Sequence, residues 1–286
     1  MDRAAKGGQC MSQIWNLARK ELRDGLRNRW LLAISLLFAI LAVGIAWFGA
    51  AASGHVGFTS IPATIASLAS LATFLVPLIA LLLAYDAIVG EDEAGTLMLL
   101  LTYPLNRGQI LLGKLTGHGL TLALATLIGF GSAAVAIALL VGDVESGPLL
   151  WAFGRFILSS VLLGWVFLAL AYVLSSTARE KSSAAGMALG IWFVFVLVFD
   201  LALLALLVLS EGAFNPELLP WFLLLNPTDI YRLINLAGFE TGGAAMGVLT
   251  LGADLPIPVA GLWLCMLGWL AAVMLLAYWL FRRRWI

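Results

Sequence analysis

Charge is what this sequence has least of. Of its 286 residues only 11% are Asp, Glu, Lys or Arg, while 62% are hydrophobic. A soluble domain usually carries about 25% charge. A globular fold of this size could not bury so much apolar surface, so lipid must cover the rest. Cysteine is almost missing as well. Cys10 and Cys265 stand far apart, which excludes a disulfide framework and a Cys-rich metal site. The only histidines, His55 and His118, are too distant in sequence to suggest the convergent groups of an intramembrane enzyme, such as a His-x-x-x-His metal pair or a Ser–His dyad. Met98, Met187, Met246, Met266 and Met274 form no ladder that would mark a soft-metal path. The first thirty residues are polar and basic and have no small-residue cleavage site after a short apolar core, so no cleavable signal peptide is expected. Met1 to Cys10 has no periodicity, and Met11 is a candidate start.

What is present is long apolar runs. Six stretches have the length a bilayer demands, at about 31–52, 61–89, 110–141, 151–174, 183–210 and 259–281. The fold class read from them is all-α, a polytopic membrane protein. Several runs exceed the hydrocarbon thickness, which permits tilt or extension beyond it. Basic residues then orient the chain. With six spans, Arg3, Lys6, Arg19, Lys20, Arg23, Arg27 and Arg29 share a side with Arg107, Lys114, Arg179, Lys181, Arg282, Arg283 and Arg284. The opposite loops, 53–60, 142–150 and 211–258, hold only Arg232. Both termini are therefore expected in the cytoplasm.

Residues 1–30 divide from the spanning domain 31–286. From Ser12 to Asn28, Ile14, Leu17, Ala18, Leu22 and Leu26 recur at helical spacing, with Arg19, Lys20, Arg23 and Arg27 on the other arc. Such a basic amphipathic helix lies in the membrane interface; the plainer reading is a positive anchor for the first span. In the fifth span Ser182, Ser183, Gly186 and Gly190 form a small-residue ladder, and the second carries Thr64, Ser67 and Ser70. These faces suit close helix contact, within one subunit or between two. Asp200 is isolated in apolar sequence and needs a protein or water partner. Arg155 is the candidate, at a depth roughly 9 Å different by helical rise. In the segment 211–258, Asn226 reads as an N-cap before Pro227. Ile230, Leu233, Ile234 and Ala237 line one face of that helix, and Asp229 and Arg232 point elsewhere. An external helix of this kind, including Tyr231, is expected to dock a periplasmic partner or to act as a lid.

The most informative segment is the loop 90–114, GEDEAGTLMLLLTYPLNRGQILLGK. Glu91, Asp92 and Glu93 open it. A short apolar helix from Thr96 to Thr102 follows, ending at Tyr103 because a residue before proline disfavours the α conformation. A new helix begins near Asn106 and Arg107. An apolar helix flanked by acids is too hydrophobic to be left in water and should dock on another protein. Gly108 to Lys114 imitates the start of a P-loop, but Leu115 stands where Ser or Thr should meet Mg²⁺, and no strand precedes it. Nucleotide binding by this chain is not expected.

The order of acids, Gly-Thr-Leu, Leu-Leu, Tyr-Pro-Leu, Asn-Arg and Ile-Leu-Leu-Gly-Lys resembles the coupling-helix signature of type-2 ABC exporter permeases. Four segments, IWNLARKELRDGLRNRWLLAISLLFA, GFTSIPATIASLASLATFL, EDEAGTLMLLLTYPLNRGQILLGK and NPTDIYRLINLAGFE, carry a closer resemblance. It is to the membrane subunits of transporters that support maturation of the copper centres of nitrous oxide reductase. The resemblance covers nearly the whole chain. It implies a bacterial inner-membrane location, a second copy of the chain, a periplasmic solenoid (β-helix) subunit and a cytosolic ATPase that binds ATP and Mg. It implies no cofactor in this chain and no nucleic acid. ATPase coupling is then expected at Glu91, Asp92, Glu93, Gly95, Thr96, Leu97, Leu100, Tyr103, Pro104, Arg107 and Lys114. Docking of the periplasmic partner is expected at Asn226, Pro227, Asp229, Ile230, Tyr231 and Arg232. An exporter permease for another substrate is the alternative.

Overall fold

The computed structural model describes residues 2–27, 29–48, 57–58, 60–102, 105–141, 144–210, 218–236 and 257–284. Every described element is a helix: α1 Asp2–Arg27, α2 Trp30–Phe48, α3 Ile61–Ala84, α4 Val89–Glu93, α5 Thr96–Thr102, α6 Arg107–Leu140, α7 Ser146–Thr177, α8 Lys181–Phe193, a π turn Val194–Val198, α9 Phe199–Leu209, α10 Leu219–Leu223, α11 Pro227–Leu236 and α12 Val259–Arg283. Among the described residues, six helical stretches are long and apolar enough to cross a membrane: α2, α3 with α4, α6, α7, α8 through α9, and α12. These match the six runs of the sequence.

Local chemistry sets several boundaries. The Ser60 hydroxyl accepts from the Ala63 amide at 3.3 Å and starts α3. Asn106 and Gln109 form a reciprocal capping box that starts α6. That helix has 34 residues, about 51 Å of rise, against a hydrocarbon core of about 30 Å. Its first turns therefore stand beyond the lipid at the end of the bundle where the basic residues gather, the basic end.

α7 is the most enclosed span, packed on α3, α6 and α12, while α2 lies along α6. Phe38 stacks on Phe130 at 4.5 Å, and Phe130 meets Phe156 at 4.9 Å. Gly129 permits this, because a Cβ there would lie 2.3 Å from the Phe38 Cβ. The ladder on α8 faces outward. Nothing approaches Gly186 or Gly190, whereas Ala184 and Ala188 are buried.

The N-terminal helix runs unbroken from Asp2, and one of its faces is docked on protein. Leu17 seats on Gly113, and Ala18 and Glu21 seat on Gly117, where a Cβ would lie 2.5 Å from that of Glu21. Arg19, Lys20, Arg23 and Arg27 remain exposed. The helix is amphipathic as the periodicity predicts, and its inner face grips α6.

Candidate functional site

The three acids after the second span each reach a different element. Glu91 accepts from the Lys114 ammonium of α6 at 2.8 Å. Asp92 accepts from the Arg284 guanidinium, just past α12, at 2.6 and 3.1 Å. Glu93 accepts from the backbone amide of Lys181 at 2.7 Å, the first residue of α8. An α-helix leaves its first amides and last carbonyls without partners, and its dipole favours an anion at the start and a cation at the end. Glu93 meets that need at the start of α8. Arg284 meets it at the end of α7, donating to the Ser175 and Ser176 carbonyls at 2.8 and 3.2 Å. Arg107 meets it at the end of α12, donating to the carbonyls of Phe281, Arg282 (3.0 Å) and Arg284 (3.1 Å). The start of α4 is held the same way: Ser175 Oγ accepts from the Ile88 and Val89 amides at 2.9 and 3.0 Å. The acidic turn is thus a fastening point for four other helices.

From this base the short apolar helix α5 projects. Gly95, at φ +69°, makes the turn between α4 and α5, a left-handed conformation that suits glycine. The Thr96 hydroxyl donates back to the Glu91 carbonyl at 3.1 Å. Leu97 points inward and is 1% exposed, and Leu100 is half-buried; Met98 and Leu99 are 58% and 64% exposed. The expectation that Leu97 meets a partner is corrected accordingly, because Leu97 belongs to the bundle core. The outward apolar side chains are Met98 and Leu99. Tyr103 and Pro104 lie outside the described residues.

Lys114, expected at the ATPase contact, is instead buried as the partner of this turn inside the bundle. Lys114, 2% exposed, bridges Glu91 and Glu21 of α1, the latter at 2.9 Å. His118 sits one turn further along α6, with Nε2 3.5 Å from Glu21 and Nδ1 2.9 Å from the Tyr172 hydroxyl of α7. Burial alone would raise the Glu21 carboxyl, but Lys114, His118 and Lys20 outweigh it and hold the group below its ordinary value. A signal was available: Glu21 falls three and four residues after Ala18 and Leu17, on the apolar arc of α1. Gly108 to Lys114, the stretch that imitates a P-loop, is continuous helix here.

At the opposite end the charges also pair, in another combination than expected. Asp200 accepts from Arg232, which also donates to Asp229 at 3.0 Å. Arg155 donates instead to the Asn235 carbonyl at 3.4 Å. The sequence estimate compared depth along two spans and left out a returning helix that brings Arg232 to Asp200. That helix, α11, is buried on nearly every face, including Asn226, Pro227, Asp229, Ile230 and Tyr231. Several of its polar groups bond to the bundle itself. Tyr231 meets the Ser160 hydroxyl at 3.0 Å and Asn235 donates to that of Ser159 at 2.8 Å. Asn226 and Thr228 donate to the Phe195 carbonyl at 2.9 and 3.3 Å. Phe195 lies in the π turn, where the widened ladder leaves its carbonyl to outside donors. The docking reading of Asn226, Pro227, Asp229, Ile230 and Tyr231 is therefore corrected, because these side chains are buried against the bundle, as those of a lid would be.

No group of three or more His, Cys, Asp or Glu side chains is placed to hold a metal among the described residues. His55 and Met246 lie outside them.

These features define a class: an all-helical, multi-pass membrane subunit that presents a short apolar helix beyond its spans on a rigidly fastened turn. A family model described as ABC-2 family transporter protein matches residues 15–285, and the chain belongs to that family. It is 81% identical over 274 residues to the "Probable ABC transporter permease protein NosY" of Stutzerimonas stutzeri, covering 96% of this chain and 99% of that one. A protein of the same description from Pseudomonas aeruginosa PAO1 is 72% identical over 274 residues, with the same 96% and 99% coverage. The chain is accordingly the membrane subunit of an ABC transporter, and ATP hydrolysis belongs to a partner chain of the complex.

Proposed function

We propose that this subunit supports maturation of the copper centres of nitrous oxide reductase. It does so by coupling ATP hydrolysis in a cytosolic ATPase, which binds ATP and Mg, to movement on the periplasmic side. The reading rests on the resemblance of the whole chain and on one observation, the fastening of Glu91, Asp92 and Glu93 to separate helices. In this reading the basic end and both termini are cytoplasmic, and the ATPase receives Met98 and Leu99. A push on α5 reaches α8 through the Glu93–Lys181 contact. The same helix continues into the π turn and Asp200, which hold α11 near the opposite end. A stroke applied at one membrane surface is thus carried toward the other through direct contacts, about 21 Å along the axis from Lys181 to Phe195. A periplasmic solenoid subunit would receive it. The open α8 face around Gly186 and Gly190 suits a second copy of the chain.

The test replaces Met98 and Leu99 with Asp together. Both are exposed, so insertion and melting should be unchanged, while ATPase co-purification and assembly of the reductase copper centres should be lost. Retained assembly with lost ATPase binding would assign the complex to another substrate. Retained binding would overturn the coupling role of α5.

A further inference from the structure

α12 packs on α7, and the first turns of α6 are taken up by α1. Between α6 and α12, near the basic end, an apolar groove of about 440 Å³ is left, walled by Leu111, Leu112, Ala271, Leu275 and Tyr278 among others. From Ala271 to Tyr278 it covers about 10 Å of helical rise, most of one leaflet of about 15 Å. Its rim changes character in the order a leaflet does. Tyr278 and Trp279 are exposed at the depth where aromatic side chains meet headgroups. Beyond them stand the exposed Arg282 and Arg283, the first 5.8 Å from the Tyr278 ring centroid and the second 3.7 Å from that of Trp279. Their neighbours are committed: Arg284 to Asp92, Arg107 to the α12 carbonyls. Among the described residues no carboxylate pairs with Arg282 or Arg283. An apolar body, an aromatic rim and two un-neutralised cations suit an amphiphile with an acyl tail and an anionic head. A second copy suits the groove poorly, since a two-fold contact would set these arginines against themselves.

We propose that this groove binds an acyl chain of an anionic phospholipid from the leaflet at the basic end, with its phosphate on Arg282 and Arg283. The lipid would brace α6 against α12, the two helices that Lys114 and Arg284 tie to the acidic turn. The proposal is independent of which substrate the transporter serves.

Native mass spectrometry of the purified full chain, offered phosphatidylglycerol or phosphatidylcholine at equal concentration, tests it. The chain should retain phosphatidylglycerol preferentially. The variant with Arg282→Gln and Arg283→Gln should bind it about fivefold more weakly for each arginine lost, with phosphatidylcholine unchanged. Ala271→Trp, which fills the groove, should lower retention of both lipids. The arginine variant alters only exposed side chains, so it remains informative even if the filled variant fails to fold. Equal retention of the two lipids by the parent chain, or unaltered phosphatidylglycerol binding in the arginine variant, overturns the proposal. So does a disulfide between copies carrying Leu275→Cys in a background lacking Cys10 and Cys265, which would assign the groove to a second copy.

Discussion

Lys114→Met should separate the acidic turn from the N-terminal helix. The side chain is 3% exposed and its ammonium lies 2.9 Å from Glu21 and 2.8 Å from Glu91, whose side chains are 10% and 19% exposed. Removing one member of a buried ion cluster costs about 3–5 kcal/mol, because the remaining charges stay buried without compensation. Here a second cation softens the loss. Lys20 lies 3.6 and 3.7 Å from the same two carboxylates, but it is 57% exposed and worth at most about 1 kcal/mol. The net loss should be about 2–4 kcal/mol. At about 2 °C per kcal/mol for a chain of this size, the melting midpoint of the purified protein should fall by roughly 4–8 °C. Glu21→Gln combined with Lys114→Met supplies the decisive comparison. If the groups act as a unit, the double variant should be less destabilised than the sum of the singles by about 0.5–3 kcal/mol. Strict additivity, or a Lys114→Met midpoint within a degree of the parent, would refute the bridging role.

Leu97→Asp should lower the midpoint because it buries an unpaired carboxylate at a 1% exposed position; a melt comparison with Met98→Asp, exposed and near-neutral, separates the two faces of α5. Asp200→Asn should lower the midpoint, since it removes one of the two carboxylates on Arg232 and leaves Asp229 as the other, and a thermal melt against the parent decides it. Glu21 has a depressed folded-state pKa, so the stability it contributes is present above its unfolded value of about 4.5 and disappears as pH falls through the lowered one. Glu21→Gln should therefore lose less stability than the parent between about pH 5 and pH 3, as melts across that range would show.

How far the sequence reached depended on how local the deciding forces were. Span number followed from run length against bilayer thickness, and the start of α6 followed from Asn106 and its neighbours. The three acids drew attention for a sound reason, but their partners did not show. Lys114, Arg284 and the Lys181 amide lie 23, 192 and 88 positions away from the acids they serve. Only the folded bundle brings them together. On α5 a run of apolar residues gives no phase, so the sequence could not say that Leu97 turns in while Met98 and Leu99 turn out.

The misreading of α11 has a more general cause. Asp229, Arg232 and Asn235 on a short amphipathic helix point to water if water is the only source of hydrogen bonds. A membrane bundle supplies others. Ser159 and Ser160 of α7 sit where they can meet Asn235 and Tyr231, and the π turn offers the Phe195 carbonyl to Asn226 and Thr228. Each of these groups would be costly alone in an apolar interior, and the bonds among them offset much of that cost. Displacing α11 from its seat would therefore expose several polar atoms of α7 and the fifth span at once, together with Asp200. That penalty favours α11 moving with the fifth span over moving away from it. The helix that reads as an exposed platform is, on this account, the far end of the same rigid path that begins at Glu93.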